Sequence, residues 1–171
     1  YDPVLLTLAT IAGTGVSAAG CEDCLAIASA LASPESVAIG PDGTIYLTDA
    51  YKRIRKIDTN GIITTVAGSA SVGGFSGDGG PASLAILSAP KDLSFGPDGS
   101  LYLADNMNHR VRRIGADGII NTVAGSGEWT CSPYPNCDGI PAIEASFHFN
   151  EPSIAVGPDG TFYLTDTKRR I

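Results

Sequence analysis

Methionine and tryptophan each occur once among 171 residues, histidine only twice, and charged residues make up just 17% of the chain. Two histidines leave few of the nitrogen donors from which catalytic zinc or copper centres are built. The net charge of −7 excludes a general attraction to nucleic acid or anionic lipid. No run of about 18 apolar residues is present, so no helical membrane span is expected. Residues Tyr1 to Thr10 carry no basic segment and no cleavage-site pattern, and are not read as a signal peptide. The chain opens on Tyr rather than Met, so a processed or cropped piece of a larger protein is expected. Nucleophile elbows, phosphate loops and His-Glu-x-x-His motifs are missing as well.

What remains is apolar and rich in turn-formers, with 43% hydrophobic residues, 21 glycines and 11 prolines. One unit occurs three times. It runs Ser36-Val-Ala-Ile-Gly-Pro-Asp-Gly-Thr-Ile-Tyr-Leu-Thr-Asp49, then Asp92-Leu-Ser-Phe-Gly-Pro-Asp-Gly-Ser-Leu-Tyr-Leu-Ala-Asp105, then Ser153-Ile-Ala-Val-Gly-Pro-Asp-Gly-Thr-Phe-Tyr-Leu-Thr-Asp166. The Pro-Asp-Gly turns at Pro41, Pro97 and Pro158 set periods of 56 and 61 residues. Val-Ala-Gly closes units at Val66 and Val123, and Ile11-Ala-Gly13 is a related marker.

Within a unit, Val37 to Ile39 predicts strand a and Thr44 to Leu47 strand b. Arg53 to Ile57 predicts strand c, and Ile62 to Val66 strand d. Four short antiparallel strands joined by glycine turns describe a propeller blade, so the expected class is all-β. Blades are expected over 34–68 and 90–125, an incomplete blade over 152–171, and the last strand of a preceding blade over 1–13. The stretches 14–33, 69–89 and 126–151 are expected as inter-blade loops, each a glycine-rich turn followed by about one helical turn with proline at its first position.

Ten of the 11 Lys and Arg lie at one place in the repeat, around strand c, with Lys91 the exception. Pairing of Arg53, Arg110 and Arg170 with Asp49, Asp105 and Asp166 would fix the b–c connection in each blade. Asp42, Asp98 and Asp159 sit in hairpin turns, where Asp caps its own backbone. Asp78 and Asp138 stand in glycine-rich loops without the further oxygen donors calcium needs. His109 falls in a b–c loop, and His148 lies between Phe147 and Phe149. Cys21 with Cys24, and Cys131 with Cys137, form local pairs suited to disulfides bracing loops. Zinc ligation is the competing reading, weakened by the five residues between the second pair, and free thiols are the third. No cofactor and no metal are expected. Trp129 and Tyr134, on the longest loop, suit either a protein contact or a cover for the blade edge.

Pro97-Asp-Gly-Ser-Leu-Tyr-Leu-Ala-Asp105-Asn-Met-Asn-His-Arg-Val-Arg-Arg-Ile114 resembles an NHL repeat, with its glycine turn, its strand ending in Asp and its Asn-His-Arg step into a basic-apolar strand. The inserted Gly74-Phe-Ser-Gly-Asp-Gly-Gly-Pro-Ala82 narrows the resemblance to the NHL propellers of teneurins and bacterial YD-repeat proteins, whose cysteine-bearing loops also interrupt the repeats. No YD-shell sequence is present. The resemblance implies a five- or six-bladed ring, and six blades would need roughly 340 residues. It also implies an extracellular or cell-surface module that contacts proteins without catalysis, with self-association a way to complete the ring. Two alternatives are a basic strand-c arc binding single-stranded RNA, and a share of a metal-dependent propeller enzyme whose ligands lie elsewhere.

Overall fold

The computed structural model describes residues 9–69, 73–129 and 139–165. The first sheet consists of β1 (Cys24–Leu25), β2 (Val37–Ile39), β3 (Ile45–Asp49), β4 (Arg53–Ile57) and β5 (Ile62–Gly68), in the order β1-β5-β4-β3-β2. The second repeats it with β6 (Gly80–Pro81), β7 (Pro90–Phe95), β8 (Leu101–Asp105), β9 (Arg110–Ile114) and β10 (Ile119–Ala124), in the order β6-β10-β9-β8-β7. In the third, β11 (Ile154–Val156) pairs with β12 (Phe162–Leu164). All pairings are antiparallel. The fold is all-β, and its units are propeller blades.

The turn chemistry explains why each unit doubles back. Asp42 accepts hydrogen bonds from the Thr44 amide at 3.0 Å and the Thr44 hydroxyl at 2.8 Å. Asp98 does the same with Ser100, and Asp159 with Thr161. Between Asp42 and Thr44, Gly43 takes φ +82°, a value open to glycine at no steric cost. The same bonds hold the Asp42 and Asp159 carboxyls below the ordinary value, with the Thr amides the main cause.

One expectation is corrected here. The complete sheets have five strands, because two residues of each preceding loop add a short outer strand, Cys24–Leu25 beside Ile62–Ile63 and Gly80–Pro81 beside Ile119–Ile120. The edge of strand d offers unpaired amides and carbonyls, and the loop satisfies them. Most of the strand expected over 1–13 lies outside the described residues, which begin at residue 9. The Gly13 amide donates to the Ala26 carbonyl at 2.9 Å.

Three-residue 3-10 turns follow at Ala26–Ala28, Ala82–Leu84 and Ala142–Glu144. Pro81 and Pro141 sit one position before the turn, not at its first residue as expected. Their extended ψ angles of 131° and 135° end the preceding segment, which proline's fixed φ favours.

Blades pack face to face. Ile54, Ala67, Ala38, Tyr46 and Val66 of the first cover Leu93, Leu101, Leu103, Ile114 and Ile120 of the second. Each fully buried Ile or Leu contributes about 1.5–3 kcal/mol. All five residues of β8 are buried, whereas β3 in the first blade is only partly so. The difference follows from position, since the middle blade has a neighbour on both faces and the first on one. Tyr46 meets Phe95 edge-on at 5.0 Å, and Tyr102 meets Phe162 at 5.7 Å, so the same tyrosine reaches forward in successive blades.

Candidate interaction surface

Strand c supplies two arginines per complete blade. Arg55 and Arg112 are fully buried and occupy equivalent positions. Each reaches the acidic residue of the preceding loop. Arg55 lies 3.4 Å from Glu22, and Arg112 lies 2.8 Å from Asp78. They also donate to loop carbonyls, Arg55 to Cys21 at 2.6 Å and Arg112 to Ser76 at 3.1 Å. Glu22 and Asp78 in turn accept the hydroxyls of Thr65 and Thr122, at 2.6 and 2.7 Å on strand d. One acid per loop thus ties the loop to strands c and d. Nothing in the sequence marked Glu22 for this, because the repeat is least regular there. The alignment of Glu22 with Asp78, two residues before the short outer strand, was the available signal.

The expected Asp–Arg pairs sort differently in the two blades. Arg53 binds Asp49 through Nε at 2.9 Å and Nη2 at 2.5 Å. In the second blade Asp105 lies 3.4 Å from Arg112 rather than pairing with Arg110. The b–c turn there is one residue longer, and Asn108 Nδ2 occupies Asp105 at 2.7 Å. Arg110 turns outward, donating to the carbonyls of Asn108 and Ser126 at 2.9 and 2.7 Å, with its guanidinium 4.0 Å from the Phe75 ring centre. Burial lifts the Asp105 carboxyl to about 6, against the opposing pull of Asn108, the Ser88 amide and Arg112. Asp166 and Arg170 lie outside the described residues, as do Asp138, Tyr134, Cys131 and Cys137.

On the innermost strands, Asp92 joins three blades. It accepts the Ser36 hydroxyl of the first at 2.7 Å, and the Ser153 hydroxyl and Ile154 amide of the third at 2.9 and 2.8 Å. Glu35 and Lys91 form an ion pair at 2.5 Å beside it. Asp92 was not anticipated, since the repeat shows Ser at this position in the other units and a lone exchange carries no signal of contact.

Trp129 stands at the other extreme of exposure, with 59% of its surface open. It is nonetheless fixed. The His109 ring stacks on it at 5.8 Å and 19°, and the His148 ring at 5.6 Å and 13°. His109 comes from the b–c turn of the second blade, and His148 precedes the third. Phe147 and Phe149, which flank His148, stack on each other at 5.2 Å and belong to the core cluster around Tyr102 and Val111. Two near-parallel histidine rings therefore contact the indole, and more than half of it still meets solvent. Exposed Met107, in the same b–c turn as His109, extends this surface.

Cys21 and Cys24 form a disulfide. Among the described residues, no group of three or more His, Cys, Asp or Glu is placed to hold a metal ion. Among the same residues, no helix is long and apolar enough to cross a membrane.

The family model of the teneurin NHL domain matches residues 11–74 and 73–147. Teneurin-1 of Mus musculus is 38% identical over an alignment of 103 residues that covers 53% of this chain and 4% of that protein. The chain therefore spans a small part of the relatives it matches. Among solved structures, a structural-genomics protein from Bacteroides thetaiotaomicron aligns over 83% of this chain and 35% of its own, with TM-score 0.63 and 21% identity. An auxiliary nutrient binding protein of Bacteroides ovatus aligns over 76% and 34%, with TM-score 0.58 and 24% identity. These two likenesses are of fold. With the repeat, the blade topology and the matched residues in agreement, the chain belongs to the teneurin NHL domain family.

Proposed function

We propose that this chain is part of a non-catalytic propeller of an extracellular or cell-surface protein, and that it docks a protein partner through the loops around Trp129. The observation that carries this is an indole that is 59% exposed yet stacked against two histidine rings. An aromatic ordered in advance loses little conformational entropy on binding, which is the property of a contact hot spot. The Cys21–Cys24 disulfide supports an oxidising compartment.

The RNA-binding alternative needs strand-c cations facing phosphates. Arg55 and Arg112 are instead fully buried, and Arg53 is almost so, each engaged by a carboxylate. The self-association expected from the sequence has one observation in its favour. Val37 and Ile39 of the first blade are 67% and 71% exposed, while Leu93, the second-blade equivalent of Val37, is 5% exposed beneath the first blade. That leading face suits a further blade, and a six-bladed ring is the closure we favour.

The test is binding of the full chain to cells whose surface proteins are intact or stripped by protease. Saturable, protease-sensitive binding that Trp129→Ala reduces at least tenfold is expected. Binding that survives stripping, or that Trp129→Ala leaves unchanged, overturns the reading. Salt-dependent RNA binding with a steep slope would favour the alternative.

A further inference from the structure

We propose that the His109–Trp129–His148 stack is an acid-released clasp, holding Trp129 in its docking position at neutral pH and freeing it in mild acid. This inference rests on the docking reading given above and concerns the regulation of that same site.

The clasp has two anchored histidines and one less anchored member, the indole that stacks against each. His109 caps the 3-10 turn Asn106–Asn108 in a left-handed conformation, φ 52° and ψ 43°, with its amide bonded to the Asn106 carbonyl at 3.1 Å. His148 is set between two phenylalanines packed into the core. Trp129 joins them from a loop whose Ser126 carbonyl is tied to Arg110. When the stack loosens, Trp129 is the member free to move.

Protonation acts on a site built for the neutral ring. His109 Nδ1 is buried and has no hydrogen-bond partner among the described residues. A proton added there places an N–H donor where no acceptor meets it. The groups facing the ring divide by sign. His148, which also stacks on the indole, and the adjacent Arg110 oppose a positive charge, while Glu128 on the tryptophan loop favours one. Burial, first, then His148 and Arg110 hold the His109 imidazole below its ordinary 6.5. Asp105, at the start of the same turn, is engaged by Asn108, Ser88 and Arg112.

Cation–π attraction between an imidazolium and the indole works against release. It is the smaller effect on an exposed ring, because the buried, unpaired donor disfavours the charged form more strongly. A folded-state value below that of the free imidazole means the released state takes up the proton first. The clasp is therefore complete above about pH 6.5 and is lost as pH falls through the lower value of the clasped ring.

The chain contains two histidines and one tryptophan, all three in the stack, so proton NMR of the full chain reads this site without interference. At pH 7.5 the carbon-bound imidazole protons should lie upfield, displaced by the indole ring current, and Trp129→Ala should remove the displacement. On titration to pH 5, His109 should show a midpoint below 6.5, and the displacement should vanish in the same step. A midpoint at or above 6.5, or a displacement that persists once His109 is charged, overturns the clasp.

The double variant His109→Gln/His148→Gln should leave the Trp129 signals flat with pH. A step at the unchanged midpoint would assign the transition to Asp105 and also overturn it. The titration of the unsubstituted chain decides the matter even where the double variant does not fold. A failed clasp beside intact cell binding would sink this inference alone, and intact titration beside absent cell binding would sink the docking role alone.

Discussion

Replacing Asp92 with Ala tests whether successive blades are held by more than their apolar faces. The substitution removes the acceptor for the Ser36 hydroxyl, the Ser153 hydroxyl and the Ile154 amide, three bonds that cross blade boundaries. A hydrogen bond to a charged group contributes about 1.5–3 kcal/mol when shielded from water. Ser153 is exposed, so water replaces that bond at little cost, while the Ser36 and Ile154 bonds are half-buried. A loss of about 2–4 kcal/mol follows, from two bonds near the low end of the range. Asp92→Asn keeps one acceptor oxygen and should lose about half as much. Urea unfolding with linear extrapolation measures both. A cycle with Ser36→Ala should give a coupling of about 1 kcal/mol. A loss under about 0.5 kcal/mol, or strictly additive single effects, would refute the idea that Asp92 joins the blades.

Arg112→Met should cost about 3–5 kcal/mol, because Asp105 is left as a buried charge, and Asp105→Asn in the same chain should restore part of it; denaturation midpoints decide. Gly68→Ala should be far more damaging than Gly43→Ala, although their φ angles are +85° and +82°. A Cβ at Gly68 would sit 2.0 Å from the Lys52 carbonyl oxygen, whereas at Gly43 nothing lies within 4 Å, so about 1–2 kcal/mol of backbone strain is all the latter should show in thermal melts. The Asp105 carboxyl, raised from 3.8 to about 6, binds its proton more readily in the folded chain, so its contribution is fully present below about pH 3.8 and lost as pH rises through 6. The stability of the natural chain relative to Asp105→Asn should therefore grow by about 2.4 kcal/mol from pH 7.5 to 4, measured by urea unfolding at each pH. Reducing the Cys21–Cys24 disulfide should cost no more than about 2 kcal/mol, since so few residues lie between the two cysteines, and should leave the Glu22–Arg55 pair in place by NMR.

The blades were legible because their determinants are local. A turn such as Pro41-Asp42-Gly43 states its own geometry, and Ile45 to Leu47 has the residues of a half-buried strand. The outer strands Cys24–Leu25 and Gly80–Pro81 were not legible, since two residues have no periodicity and pair only because strand d leaves an edge. The Asp105–Arg110 pairing failed for a similar reason. These residues do oppose each other across β8 and β9, as Asp49 and Arg53 do across β3 and β4. Backbone register was inferable, but the extra residue in the turn, and with it the choice between Arg110 and Arg112, depends on where side chains point. Trp129 was noticed as the one tryptophan, on the longest loop and near Tyr134. Its two histidine neighbours come from positions 20 residues before and 19 after it, a proximity that only the blade geometry creates.

The two complete blades solve one problem with different loop chemistry. Each must bring a carboxylate over a buried arginine of strand c, and the loops that do so share almost no sequence beyond that acid. In the first, Cys21-Glu-Asp-Cys24 is closed by a disulfide, and Asp23 accepts φ 53°. In the second, Gly77-Asp-Gly-Gly80 reaches the same pairing through glycines at φ +95° and +78°. The Asp23 and Gly79 amides even donate to equivalent carbonyls, Ile63 at 3.0 Å and Ile120 at 2.9 Å. Because glycine alone suffices in the second loop, the disulfide is not what places Glu22. Its contribution lies in restricting a surface turn that buries few side chains, and that restriction has value where the loop must resist proteases or hold shape against a partner. The braced loop is a feature separate from the Trp129 surface. Both features sit in the connections between blades, while the blades themselves differ little from one another.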